Sequence, residues 1–241
     1  MIYFIGDVHG HFDHVIEIVR RDMPAAIIFL GDLDCSRPLH EIVAPIHDLS
    51  EVWWIPGNHD ADRDQASRNL FDSEFADRNL HGRVAVIDGL RVGGLGGVFR
   101  GDIWYPTGGN IRHESHDEYI AWLTRQQPTR LRASVPLSGK ARKHRTSIFH
   151  SDYVRLAKQQ ADILVTHEAP SCHPNGFAVI DELARSMAVK KTFHGHQHDN
   201  LDYQQHRTAL GFQAFGVGFC GIADQDGNVI RAGDYDEARR R

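Results

Sequence analysis

An α/β fold with a largely parallel core is predicted by two observations. Short apolar runs recur along the chain, each closed by a glycine or a polar cluster and followed by residues at helical spacing. Five of these runs also end on Asp, Asn or His, which gives the fold a working edge. The first run is residues 2–5, and behind it Val15, Ile16, Ile18 and Val19 fall on one helix face. The second, 25–30, is followed by Ile42, Val43, Ile46 and Leu49 at the same spacing. Runs at 52–55, 163–165 and 189–192 complete the set, and strand, turn and helix repeated in this way describe a parallel sheet covered by helices. From Val84 the texture changes: runs at 84–87 and 90–95, then 212–217, 221–223 and 229–231, predict hairpins of a second sheet. Between Tyr105 and Ala161 lie Pro106, Pro128 and Pro136, one helix over 115–126 and little strand periodicity. This stretch reads as a mostly helical or irregular, cap-like insertion at about 105–161, within a single domain spanning 1–241.

Composition narrows the function classes. The chain has 241 residues, 41% hydrophobic and 24% charged, with a net charge of −5, so it is neither a disordered chain nor a polycation built for nucleic acid or anionic membranes. Within that average, residues 125–158 hold nine Lys or Arg against one acid, Asp152, a local net of +8. Such a run is either a solvated face or a guide for an anionic substrate. Only Phe149 and Tyr153 lie within it as stacking partners, so nucleic acid is not the favoured partner. Cys35, Cys172 and Cys220 form no CxxC spacing, which argues against a disulfide framework and a thiolate zinc site and makes a reducing cytoplasm the default. No export signal precedes the first run, and no apolar stretch reaches membrane-spanning length. Histidine is the outlier: 17 in 241 residues, about 7%. His11 and His194 flank the donors, whereas His113 and His116 are expected on the surface.

The chemistry sits at the strand ends. In order they read Gly6-Asp7-Val8-His9-Gly10, Gly31-Asp32, Gly57-Asn58-His59-Asp60, Thr166-His167 and Gly195-His196-Gln197-His198. Carboxyl ends of parallel strands lie along one edge, so groups spread over nearly the whole chain are expected to converge. Asp, Asn and His are oxygen and nitrogen donors with no thiolate among them, a set suited to Mn²⁺, Fe or Zn²⁺. Seven such donors exceed one tetrahedral site, and a carboxylate such as Asp32 can bridge two ions, which in hydrolytic sites sit about 3.5–4 Å apart. Two dications would outweigh Asp7 and Asp32 by +2, giving an acidic protein a locally positive pocket suited to phosphate. The glycine-rich run 89–101 lacks the Gly-Lys-Ser/Thr ending of a nucleotide loop, and its Arg100 is a candidate phosphate clamp.

The ordered set Gly-Asp-x-His-Gly, Gly-Asp, Gly-Asn-His-Asp, Thr-His and Gly-His-x-His, from Gly6 to His198, resembles the calcineurin-like metallophosphoesterase superfamily. The resemblance implies a four-layer α/ββ/α sandwich with two divalent ions, Mn²⁺ first with Fe or Zn as alternatives, at the sheet edge. It implies that Asp7, His9 and His198 hold one ion, that Asn58, His167 and His196 hold the other, and that Asp32 bridges. His59 would protonate the leaving oxygen, with Asp60 orienting it. The implied activity is hydrolysis of phosphomonoesters or phosphodiesters by a metal-bridging hydroxide, on a small phosphorylated substrate such as a nucleotide. A metal-dependent nuclease and a non-catalytic scaffold on the same fold are the rival readings. Cys35 and Ser36 stand where the protein Ser/Thr phosphatase branch has Asp and Arg, so the resemblance is to the broad bacterial phosphoesterase group.

Overall fold

The computed structural model describes residues 1–236. The first three apolar runs are strands β1 (Ile2–Ile5), β2 (Ala26–Phe29) and β3 (Glu51–Trp54), hydrogen-bonded in parallel. Helix α1 (Asp13–Asp22) lies between the first two and ends at Met23, which takes a left-handed conformation just before Pro24. Helix α2 (Leu39–Ile42) is shorter than its spacing predicts. Pro45 lacks the amide that would bond the Glu41 carbonyl, so the chain turns instead; Val43 and Ile46 stay buried and Leu49 is exposed. Helix α3 (Asp64–Phe71) follows β3.

The second sheet begins with the hairpin β4 (Arg83–Ile87) and β5 (Leu90–Leu95) and continues in parallel through β6 (Ile163–Thr166), β7 (Lys191–His194) and β8 (Gln213–Gly216). Between β5 and β6 run helices α4 (His116–Arg125), α5 (Gly139–Lys143) and α6 (His150–Ala157); α7 (Ala178–Ser186) and α8 (Arg207–Leu210) make the later crossovers. One expectation is corrected here. The hairpin of β9 (Ile222–Asp224) and β10 (Val229–Arg231) belongs to the first sheet, where β9 runs antiparallel to β1. It covers an edge of β1 that would otherwise leave backbone groups unpaired. The chain crosses between the sheets at 218–221, where a Cβ on Gly6 would lie 2.1 Å from the Gly218 carbonyl oxygen.

Alternation within each strand builds the layers. Ile2 and Phe4, Ala26 and Ile28, and Trp53 and Ile55 face the second sheet and meet Val92, Ile163, Val165 and Phe193 there. Phe4 and Phe193 stack between the sheets at 3.8 Å. The intervening residues Tyr3, Ile5, Ile27, Phe29, Val52 and Trp54 face helices α1 to α3. Over the far side of the second sheet, Tyr119, Leu123, Ala141 and Leu156 of α4 to α6 pack with Ile180 and Leu183 of α7. Strands covered on both faces read as continuous apolar runs rather than alternating ones. The architecture is α/ββ/α.

Three of the nine cations of the basic stretch, Arg142, Arg145 and Arg155, are committed inside this packing. Arg142 meets Asp64, and Arg145 meets Asp72 and lies 4.3 Å over the Phe71 ring. His113 and His116 are half-buried rather than surface residues, the first against Tyr119 and Trp122, the second against Phe149. On α6, Asp152 accepts hydrogen bonds from His81 (3.1 Å) and Arg155 (2.6 Å), while Arg155 also donates to the Gly82 carbonyl. Burial pushes the Asp152 carboxyl up, but His81 and Arg155 outweigh it and hold it below the ordinary range. A carboxyl lowered by folding stabilises the native state above its unfolded pKa, and that contribution is lost as pH falls through the folded value. Asp152→Asn is therefore expected to cost about 1–3 kcal/mol at pH 7, read from urea unfolding, with the gap to wild type closing between roughly pH 5 and 3. A gap that stays constant to pH 3 would show that the charge of Asp152 is not what holds α6.

Candidate metal centre

All seven donors named from the sequence come together. Three strand ends of the first sheet and two of the second supply them, so the converging edge belongs to the sandwich rather than to one parallel sheet. Ligand atoms of Asp7, His9, Asp32 and His198 all lie within 4.8 Å of one another, and Asp32, His167 and His196 form a second such group. Asp32 is common to both. Asn58 joins the second group through its Oδ1, 3.2 Å from His167 Nε2. Asp7 and Asp32 are each only 1% exposed.

Glycines make this crowding possible. Gly57 precedes Asn58, and a Cβ there would lie 2.3 Å from the Asp32 amide and carboxylate. Gly195 precedes His196, and a Cβ there would lie 2.3 Å from Asp7 Oδ1. Gly31, before Asp32, has φ +109° and would drive a Cβ to 2.3 Å from His167 Nδ1. Each of these glycines thus clears space for a donor on another loop. Four donors, His9, Asp32, His196 and His198, have positive φ between 41° and 66°. Non-glycine residues in that region are uncommon and cluster at functional sites.

The hydrogen bonds decide which nitrogens are available. His167 Nδ1 donates to the Leu30 carbonyl at 2.8 Å, so in the neutral ring Nε2 carries a lone pair. That lone pair faces two further acceptors, Asn58 Oδ1 at 3.2 Å and Asp32 Oδ2 at 3.5 Å. His9 Nδ1 bonds Asp34 Oδ2 at 2.9 Å, and its Nε2 lies 3.4 Å from His198 Nε2 and 3.7 Å from Asp32 Oδ2. A proton on Nε2 lets His167 donate to the Asn58 and Asp32 oxygens, and a cation can take that proton's place; the oxygen and nitrogen donor set fits a divalent ion. The same pull toward positive charge shows in the titrations. Burial opposes charge on His167, yet Asp32, Asp7 and the Leu30 carbonyl raise it to about 10. Burial likewise opposes charge on Asp32, and His167 with the His59 amide overrides it and holds that carboxyl low. His196, lowered to about 4 by burial and then by His167, is neutral with a lone pair to give.

His59 stands at the rim with its ring 5.2 Å from that of His9. Its expected partner is corrected. His59 Nδ1 pairs with Asp62 Oδ2 at 2.7 Å, while Asp60 is buried and accepts from the amides of Leu33, Asp34 and Gly57. A single 3₁₀ turn over His59–Ala61 sends Asp60 inward and brings Asp62, three residues on, beside the imidazole. Asp60 therefore ties the β2 and β3 loops together and does not touch His59. Arg100 lines a cleft of roughly 450 Å³ that also contains Asn58 and His196. Its Nε is buried and lacks a hydrogen-bond partner among the described residues, and burial lowers its pKa against the pull of Asp62 and Glu168.

Sequence reasoning missed four residues. Asp34 orients His9, Asp62 holds His59, and Phe219 stacks on His9 at 5.5 Å and meets His198 edge-on at 5.3 Å. Buried Glu168 accepts the Phe99 amide, sits 3.9 Å from His196 Nε2, and is raised to about 7 by burial. Only Asp62 carried a local signal, the i,i+3 spacing of a helical turn. His194, flanking the donors, is wholly buried, with Nδ1 donating to the Gly195 carbonyl and Nε2 3.1 Å from the Tyr203 hydroxyl.

Sandwich and donor set together define a metallophosphoesterase-type protein. The chain belongs to the calcineurin-like phosphoesterase family, whose model matches residues 1–200. It is 42% identical over 230 residues to an uncharacterized protein of Haemophilus influenzae, covering 95% of this chain and 96% of that one. Its fold is similar to that of TT1561 of Thermus thermophilus, with a TM-score of 0.54 at 13% identity over 96% of this chain and 98% of that one. No helix among the described residues is long and apolar enough to cross a membrane. Because a Cβ on Gly57 would strike Asp32, Gly57→Ala is expected to bind less Mn²⁺ than wild type, measured by elemental analysis after gel filtration. Gly101→Ala, where the added Cβ meets nothing within 4 Å, serves as the control and should bind as wild type does.

Proposed function

We propose that the protein is a metal-dependent hydrolase of small phosphoesters with a two-ion site. Asp7, His9 and His198 would hold one ion, Asn58, His167 and His196 the other, and Asp32 would bridge. The observation that carries this reading is the convergence of His9, His167, Asn58 and Asp32, whose ring nitrogens and side-chain oxygens lie 3.2–3.7 Å apart with Asp32 shared by both groups. Two divalent ions, when bound, supply Lewis acidity for the phosphoryl oxygens and make water a nucleophile near neutral pH. The oxygen and nitrogen donors favour Mn²⁺, with Fe and Zn²⁺ tolerated.

The remaining steps belong to the chain. His59, with Nδ1 held by Asp62, keeps Nε2 free to donate a proton to the leaving oxygen. The Asp62 carboxylate fixes the orientation of that ring at the rim. Arg100, at the wall beside Asn58 and His196, presents a guanidinium to a phosphoryl oxygen. Asp60, through three amides, fixes the loops that carry Asp32 and Asn58.

The test is a panel of an aryl phosphate, its diester, an alkyl phosphate and nucleotides, run with Mn²⁺, Fe²⁺ and Zn²⁺ separately. His59→Ala is expected to lower kcat by about 10²–10⁴-fold on the alkyl ester, less on the aryl ester whose leaving group needs no proton, with metal content unchanged. A protein that binds two ions and hydrolyses no member of the panel would sink the enzymatic reading and point to a scaffold.

A further inference from the structure

Two lysines of the basic stretch, Lys140 and Lys143, line a cavity distinct from the metal centre. Between α4 and α5 lies a volume of about 570 Å³, within the range of small-molecule sites, and none of the seven donors lines it. One wall is aromatic. Trp122, 39% exposed, lies 5.9 Å from Tyr119 at an interplanar angle of 27° and 5.0 Å from the His113 ring. The lining also carries three cations, Arg112, Lys140 and Lys143, against one acid, Asp102.

These cations differ from their neighbours. Arg142 and Arg145 are each committed to an acid, whereas Arg112, Lys140 and Lys143 enter no ion pair among the described residues. His144, on the same cavity, is lowered to about 4 by burial and then by Lys143, so it adds a ring and no charge near neutral pH. Three unpaired cations around one concavity raise its potential toward anions, and a neighbouring indole offers a face to a planar ring. The aromatic side chains that residues 125–158 lack as a sequence are supplied here by α4.

We propose that this cavity binds a nucleoside phosphate, with the base against Trp122 and the phosphate held by Arg112, Lys140 and Lys143. Stacking selects a planar ring without reading its identity, and the cations select the anion, so either alone binds weakly and both together bind well. The site also reaches the metal centre through one residue. Arg142 of α5 donates to the carbonyls of Ala61 (3.0 Å) and Asp62 (3.3 Å), in and just after the turn that carries His59. A ligand gripped by Lys140 and Lys143 therefore holds the helix that holds that turn.

The test is calorimetric titration of the full chain loaded with Mn²⁺, using a hydrolysis-resistant phosphonate analogue of AMP and, in parallel, inorganic phosphate. Trp122→Ala and the double variant Lys140→Gln/Lys143→Gln are each expected to weaken a nucleotide site by about tenfold or more, and phosphate should not reproduce that site. Lys140 and Lys143 are exposed, so the double variant keeps its core if Trp122→Ala fails to fold. Unchanged affinity in the double variant, equal binding of phosphate and the analogue, or no saturable binding to wild type overturns the proposal. An oligonucleotide that binds far more tightly than the analogue, with the same dependence on Lys140 and Lys143, overturns the free nucleotide as the ligand.

Discussion

Two buried carboxylates, Asp7 and Asp32, set among imidazole nitrogens already committed on their far side, are the constraint around which the strand ends are built. Charges removed from water must be matched by opposite charge and by hydrogen bonds, or the fold rejects them. Here the match is partial within the chain: the His196 amide donates to Asp7 and the His59 amide to Asp32. The rest is owed to a cation. Holding such a cluster together also takes strained backbone, with four donors in the left-handed region at roughly 1–3 kcal/mol each. Cation binding and completion of the loops are therefore one equilibrium seen from two sides.

The net charge of −5 hides a division of labour among the basic residues. Arg142 and Arg145 act as fasteners to Asp64 and Asp72 at α3, on the first-sheet side, and Arg155 of α6 to the Gly82 carbonyl at the start of β4. Exposed ion pairs of this kind contribute little individually, but they fix where a helix sits. Lys140 and Lys143, on either side of Arg142 in the sequence, line open volume instead. A charge run counted along the sequence cannot separate the two uses, because the separation is made by which helix face meets an acid.

Much of the fold and most of the site were legible in the sequence, and the exceptions have physical reasons. Strand runs and their terminal donors are local patterns, so β1, β2, β3, β6 and β7 and all seven donors can be read from the chain alone. Pairing partners are not local: nothing within residues 221–231 says that β9 and β10 return to β1 rather than extend the second sheet. The exchange of Asp60 for Asp62 at His59 arises from a single 3₁₀ turn, a two-residue difference below the resolution of a motif. The histidine excess also resolves only in three dimensions. His81, His150 and His173 meet Asp152, Glu114 and Asp199, while His144 and His194 are buried ring partners of Tyr119 and Tyr203. Among the buried histidines, His144, His173 and His194 serve as polar aromatics of the core and His167 serves the metal edge.

The stitching of β9 onto β1 has a consequence for the order in which the molecule is made. The Cys220 amide donates to the Asp7 carbonyl, Ile222 registers against Ile5, and His198 sits 3.0 Å from Asp7. During synthesis, Asp7, His9 and Asp32 leave the ribosome with their partners still some 130 to 190 residues away, on a strand whose edge is bare. Contacts of such long range make folding slow and place closure of the site among its last events. Until residues 167–198 have been made, a nascent chain therefore carries Asp7, His9 and Asp32 without the three histidines that complete the donor set.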